Sequence, residues 1–232
     1  MVMNLIDEEY TRHPFLGTRR MREYLNSMGY TVNRKRMQRL YHQMGIEAVY
    51  PKKNLSKPNK ENTIYPYLLR GETITHNNHV WSTDITYLRL KKGFVYLMAI
   101  IDWYSRYVLD WQISTTLEAD FCVETLQRTL EQSKKTCDIF NTDQGSQFTS
   151  TDFINTLKNY KIKISMDGRG RALDNIFVER LWRSVKYECI YLKEFATVSR
   201  VKECLTDYFD YYNHKRFHQS LDYKTPAQVY LE

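Results

Sequence analysis

The chain has 232 residues and a formal net charge of +7, and it is 42% hydrophobic and 14% aromatic. That leaves room for one sizeable core with a small appendage, and it excludes a disordered polyelectrolyte. No run approaches 18 consecutive apolar residues, which excludes a membrane-spanning helix, and residues 1–9 lack the basic start and apolar stretch of a secretory signal.

The charge is unevenly placed. Residues 1–70 hold 13 Lys and Arg against six Asp and Glu, while the 21 basic and 21 acidic residues beyond them cancel. The whole excess therefore sits in the first third, as a segment that contacts a polyanion or as a solvated basic surface. Cys122, Cys137, Cys189 and Cys204 are far apart, form no C-x2-C pair and lie in or beside apolar segments. They read as reduced core thiols of a cytosolic protein, neither zinc ligands nor a disulfide framework.

In chain order, residues 17–45 read as two short helices around a turn. Thr18 is placed to cap the first, and Met21, Tyr24, Leu25 and Met28 follow at helical spacing until Gly29. Asn33 can cap the second, in which Met37, Leu40, Tyr41 and Met44 repeat the spacing until Gly45. The opposite face of that second helix carries Arg34, Lys35, Arg36 and Arg39. This is a helix-turn-helix layout over residues 1–50 whose second helix can lie against DNA. Residues 51–80 read as a basic linker, interrupted by Pro51, Pro58 and Pro66.

From residue 81 to residue 232 the pattern is that of a folded body. Residues 81–90, 94–102 and 107–114 read as three strands joined by short turns, an antiparallel meander. A helix follows over 118–134, with Phe121, Cys122, Leu126, Thr129 and Leu130 on its inner side. Then come a strand at 137–142, a helix at 151–159, a strand at 161–165 and two long helices at 174–191 and 199–212. Three antiparallel strands followed by helix, strand, helix, strand and further helices is the order of a ribonuclease-H-like α/β fold. That fold is a mixed five-stranded sheet flanked by helices, in which a helical crossover lets the first and fourth strands lie parallel and adjacent.

Three acids stand out against this frame. Asp84 falls inside the first strand. Asp143 sits just past the fourth, where Gly145 supplies a tight turn and keeps the surroundings of the carboxylate open. Glu179, separated from Asp143 by 35 intervening residues, lies on the first of the two long helices. There Val178, Leu181, Trp182, Val185 and Cys189 make a buried face, with Glu179, Arg183 and Lys186 on a stripe about a quarter-turn away. Taken singly, each acid has a plain structural role: Glu179 pairs with Arg183 at i, i+4, Asp143 forms a turn, Asp84 caps a strand end. Taken together, pairing of the first and fourth strands makes them a cage for divalent metal. Oxygen-only ligands suit Mg2+ or Mn2+, and two such ions serve in-line phosphoryl transfer. On a basic chain that points to cutting and joining of nucleic acid.

The segments Trp-Ser-Thr-Asp-Ile-Thr-Tyr at 81–87, Asn-Thr-Asp-Gln-Gly-Ser-Gln-Phe at 141–148 and Asp-Asn-Ile-Phe-Val-Glu-Arg-Leu-Trp-Arg-Ser-Val-Lys-Tyr-Glu at 174–188 resemble the integrase core of bacterial insertion-sequence transposases. The match is to the second-frame product of insertion-sequence family three, kin to retroviral integrases. The tail Tyr-Asn-His-Lys-Arg-Phe-His at 212–218, the Lys-Thr-Pro at 224–226 and the helix-turn-helix front end resemble the same family. The resemblance implies a metal-dependent DNA transposase that cleaves and joins strands at the ends of a mobile element, with Asp84, Asp143 and Glu179 binding Mg2+ or Mn2+. It implies double-stranded DNA as substrate, a homo-multimer as the active form, a cytoplasmic, nucleoid-associated protein, and Lys186 as a residue that approaches DNA. It also implies an upstream partner or fusion with its own helix-turn-helix and leucine zipper, although no heptad zipper is visible here. The zinc-binding His/Cys domain of retroviral integrases has no counterpart. His76 and His79 read as linker residues, His214 and His218 as polar tail contacts. A hydrolysis-only nuclease and a DNA-end-binding regulator without turnover are the competing functions.

Overall fold

The structure is a computed structural model, and it describes residues 2–49, 63–133, 135–168 and 172–232. The chain divides into two compact units, Met1–Lys57 and Pro58–Glu232.

Among the described residues the first unit contains three helices, α1 (Val2–Arg12), α2 (Thr18–Ser27) and α3 (Arg34–Met44). Ile6, Met21, Leu25, Val32, Met37, Leu40 and Tyr41 form its core. The α2–α3 turn is held by Asn26 Oδ1, which accepts the Val32 N–H at 3.1 Å, and by Asn33, whose side chain caps α3 by accepting the Arg36 N–H at 2.8 Å. Gly45 closes α3 in the left-handed region at φ 63°. Two local readings change. Gly17, not Thr18, is the N-cap of α2: Gly17 is the extended residue and Thr18 is already helical. The sequence pattern also gave no sign of α1, in which Ile6 is the buried residue.

The second unit is built on a five-stranded sheet in the order β3-β2-β1-β4-β5. The strands are β1 (Val80–Arg89), β2 (Phe94–Asp102), β3 (Val108–Ser114), β4 (Ile139–Thr142) and β5 (Lys163–Met166). β1, β2 and β3 pair antiparallel; β4 pairs parallel with both β1 and β5. The parallel pairs require crossovers, which α4 (Asp120–Ser133) and α5 (Thr151–Asn159) supply. Alternation along the strands gives the sheet two apolar faces. On one, Trp81, Met98, Ile100, Phe140 and Ile164 pack with α4 and α5 through Phe121, Leu126, Phe153 and Leu157. On the other, Leu88, Leu97, Ala99 and Ile101 pack against α6 (Ile176–Val185) and α7 (Val198–His214).

The expected helix over 174–191 is three pieces. A 3-10 turn (Ala172–Asn175) leads into α6, and a π-helical turn (Lys186–Ile190) follows, closed by the Tyr191 N–H on Lys186 O at 2.8 Å. The chain ends in α8 (Pro226–Leu231), another helix absent from the sequence reading. Residues 51–62 of the expected linker lie outside the described residues. Residues 63–79 pack onto the sheet: Leu69 is buried beside Val80, Trp103 and Ile139, and the Leu68 N–H donates to Ser165 Oγ at 3.0 Å. Tyr65, Tyr67, Leu69 and Ile74 give that stretch the apolar surface a free tether lacks. All four cysteines are free thiols, with Cys189 and Cys204 placing their sulfurs 2.7 Å apart.

Candidate active site

The β1–β4 register decides where the first two acids fall. Ser82 pairs with Asn141, so Asp84 and Asp143 each lie two residues beyond the same rung. Asp143 follows the last residue of β4, while Asp84 stays within β1, paired with Ala99 of β2, so the parallel pairing carries both past the same rung. Asp84 shares its side of β1 with Leu88, the side covered by α6. There the Trp182 indole Nε1–H donates to Asp84 Oδ2 at 2.9 Å. Glu179 lies one helical turn before Trp182, so the hydrogen bond that orients Asp84 also ties the strand to the helix carrying Glu179.

The surroundings of the acids differ. Burial raises the pKa of Asp84, opposed by the Trp182 indole and the Ile85 N–H, and the charges of Asp143 and Glu179 raise it further. Those two charges therefore act on Asp84 directly. Asp143 reaches solvent, yet the protein around it still raises its pKa, opposed by the Gly145 N–H, which donates to Asp143 Oδ1 at 2.8 Å. A Cβ on Gly145 would meet that Oδ1 at 2.9 Å, so any side chain there would push the Asp143 carboxylate out of this position. Glu179 is exposed and has no hydrogen-bond or ion-pair partner among the described residues. Arg183 does not pair with it; its guanidinium lies 6.0 Å from the Tyr187 ring centroid. Among the described residues no three acids, histidines or cysteines close into a ready metal cluster. The structure thus brings Asp84 and Asp143 to one edge and puts Glu179 within electrostatic reach.

A second layer went unseen in the sequence. Asp167, just past β5, has its pKa pushed up to about 7 by burial, against a hydrogen bond from Asn141 and with the charges of Asp174, Asp143 and Asp84 adding. Asn141 Nδ2 donates to Asp167 Oδ1 at 2.7 Å, and Gln144 Nε2 donates to Asp167 O at 2.9 Å. Asp174 Oδ2 accepts the Gly168 N–H at 3.0 Å, and Asn175 Nδ2 donates to Thr83 O at 3.1 Å. The β4–β5 pairing, Asn141 with Ser165, is what brings Asp167 here. An acid immediately after the fifth strand was the available signal.

The basic residues fall on two units. Arg34, Lys35, Arg36 and Arg39 are exposed on α3. Lys186 begins the π-helical turn, with its ammonium 5.6 Å from the Tyr87 ring centroid. His76 stacks on His79, His214 contacts Asp210, and His218 contacts Arg216. No helix of the described residues is long and apolar enough to cross a membrane.

Comparison with known proteins gives the same outline. The integrase core domain family matches residues 74–172, a second integrase core domain family matches 160–226, and the HTH-like domain family matches 2–54. The chain is 33% identical over 222 residues to the transposase of insertion sequence IS904 from Lactococcus lactis, covering 90% of this chain and 85% of that one. It is 30% identical to the putative transposase InsK of IS150 from Escherichia coli, covering 91% and 76%. It is 28% identical to the transposase InsF of IS3A from the same organism, covering 91% and 75%. Among solved structures, the catalytic core of HTLV-2 integrase in complex with magnesium superposes with a TM-score of 0.50 at 19% identity, covering 67% of this chain and 97% of that one. The simian T-cell lymphotropic virus intasome matches with a TM-score of 0.61 at 15% identity, covering 100% and 75%. The sheet order, the helix-turn-helix and a relative one-third identical over most of both chains lead to one conclusion: the chain belongs to the integrase-core transposases of bacterial insertion sequences, the family of the IS904 and IS3 proteins.

Proposed function

We propose that this transposase cleaves and joins DNA strands at the ends of a mobile element by metal-dependent phosphoryl transfer, with Asp84, Asp143 and Glu179 as its metal-binding acids. The observation that carries the reading is the β1–β4 register, which sets Asp84 beside Asp143, together with the Trp182 bond that ties Asp84 to the helix of Glu179. The donor set fits Mg2+ or Mn2+: it is all carboxylate oxygen, and the charges of Asp143 and Glu179 raise Asp84, a repulsion that a divalent cation relieves. Two bound ions would supply Lewis-acid stabilisation of the attacking and leaving oxygens.

The chain's own residues do the rest. Trp182 fixes the Asp84 carboxylate, and the Gly145 N–H fixes that of Asp143. Arg183 and Lys186, on the stripe of Glu179, hold the phosphates of the DNA beside the acids. Arg34, Lys35 and Arg39 on α3 grip duplex element ends. The nucleophile is a water in nicking and a DNA 3′-hydroxyl in joining, so no side chain forms a covalent intermediate. The active form is a homo-multimer on DNA, with a fused or separate upstream partner adding end recognition. Incubation of the chain with pre-cut element ends bearing 3′-hydroxyls tests this reading. Joined product is expected in Mg2+ and none in EDTA; cleavage of intact ends without any joining contradicts strand transfer.

A further inference from the structure

Exposed aromatic rings lie on the β1–β2 hairpin and at the end of α6. Tyr87 lies three residues beyond Asp84 on β1 and is 63% exposed. Phe94, diagonally across the β1–β2 hairpin, is 53% exposed, and the two rings meet edge to face with centroids 5.7 Å apart. The Lys186 ammonium, 5.6 Å from the Tyr87 centroid, joins the hairpin to the end of α6. There Tyr187 and Tyr191, 65% and 61% exposed, meet edge to face at 5.3 Å, with Arg183 over Tyr187. The π-helical turn sets this up: it buries Cys189 and Ile190 and leaves the tyrosines on either side outside. Two ring pairs are thus linked through Lys186, which follows α6 and reaches the hairpin at Tyr87. Past it lies a cleft of about 470 Å3 whose charged lining is Arg89, Lys91 and Lys193 against one acid, Glu194, beside Tyr191.

Large rings left in water in neighbouring pairs mark a binding surface. Arg183, Lys186, Arg89 and Lys91 have no ion-pair partner among the described residues, so the surface keeps its positive charge. Its complement is a polyanion that also offers flat apolar faces. A nucleic acid strand with unpaired bases has both: its phosphates meet the cations and its bases stack on the rings. A duplex hides its base faces and would use the cations alone. A second copy presenting the same surface would set like charges against each other.

We propose that this surface binds a single DNA strand, stacking unpaired bases on Tyr87, Phe94, Tyr187 and Tyr191 while Arg183 and Lys186 hold the phosphates. The assignment of the strand as DNA rests on the reading of the chain as a strand-transfer enzyme, which it deepens by naming the state of the DNA that this surface holds.

Fluorescence anisotropy of the full chain with a labelled single-stranded oligonucleotide, and with the duplex of the same sequence, tests the proposal in EDTA, where catalysis plays no part. Tyr87→Ala/Tyr187→Ala is expected to weaken single-strand binding on the order of tenfold or more while leaving duplex binding unchanged. Tyr87→Phe/Tyr187→Phe, which keeps both rings, is expected to bind as the parent does. Equal losses on single strand and duplex, or no loss on either, overturn the proposal. So does a change in sedimentation of the Ala variant with single-strand affinity intact, which would assign the rings to contacts between copies of the chain. A chain that binds the single strand in this ring-dependent way but never yields joined product contradicts the catalytic reading and leaves the strand surface standing.

Discussion

Asp84 is held by a donor from a different element, and that bond is the most informative single contact in the candidate site. Trp182 is otherwise a core residue, 6% exposed among the side chains beneath α6, and its indole Nε1–H is the polar handle that reaches the carboxylate. Trp182→Phe keeps most of the buried ring and removes the donor. Outer partners of metal ligands typically account for about 10–100-fold in metal affinity or activity. Mg2+-dependent joining by Trp182→Phe is therefore expected to fall by about that factor, with thermal unfolding followed by circular dichroism close to the parent. Full joining activity would show that the indole packs without orienting Asp84. Sequence patterning placed Trp182 on the buried face of the helix correctly, but a helical wheel shows only which way a side chain points. Which strand atom it meets depends on how α6 crosses β1. Asp167 was hidden for a similar reason: its neighbours Asn141 and Gln144 are more than 20 residues away in sequence and meet it through the β4–β5 pairing.

At the scale of elements, periodicity carried far where one face is apolar and the other is not. Val178, Leu181, Trp182, Val185 and Cys189 are all buried, as are Phe121, Cys122, Leu126, Thr129 and Leu130 on α4. It carried less where short elements bury little. α1 contributes Ile6 to its core, too weak a stripe to read. The capping signals of α8 were in the sequence, with Thr225 and Gln228 in a reciprocal capping box and Pro226 in the first turn, yet six residues offer no periodicity to support them. The π-helical turn has no sequence signature and appears only in the Tyr191 to Lys186 hydrogen bond. α3 is the element with a prediction of its own. Its buried side holds Met37, Leu40 and Tyr41, which leaves Arg34, Lys35 and Arg39 exposed to meet phosphates. Each phosphate contact removed lowers the slope of log affinity against log salt by about 0.9. Arg34→Ala/Lys35→Ala/Arg39→Ala is expected to weaken duplex binding and flatten that slope in a salt titration. An unchanged slope would show that α3 does not touch DNA.

At the scale of the whole molecule, the net charge of +7 lies in the first 70 residues, +3 of it in the helix-turn-helix region 1–50 and +4 in the basic stretch 51–70, while the charges beyond residue 70 cancel. In the body, the order of strands and helices along the chain was enough to infer that the first and fourth strands are parallel neighbours, because a crossover helix permits that pairing and a hairpin does not. The register Ser82 with Asn141 bears this out and carries Asp84 to Asp143. The front part of the expected tether lies outside the described residues, and its latter part, through Leu69 and Pro66, is built into the body. The central claim is that three acids from two strands and one helix act as one site. It is tested most directly by strand transfer from pre-cut 3′-hydroxyl ends in Mg2+, comparing the parent chain with Asp84→Asn, Asp143→Asn and Glu179→Gln and measuring duplex binding alongside. Each substitution is expected to reduce joining to background while duplex binding persists; joining near the parent level by any one of the three would contradict the account.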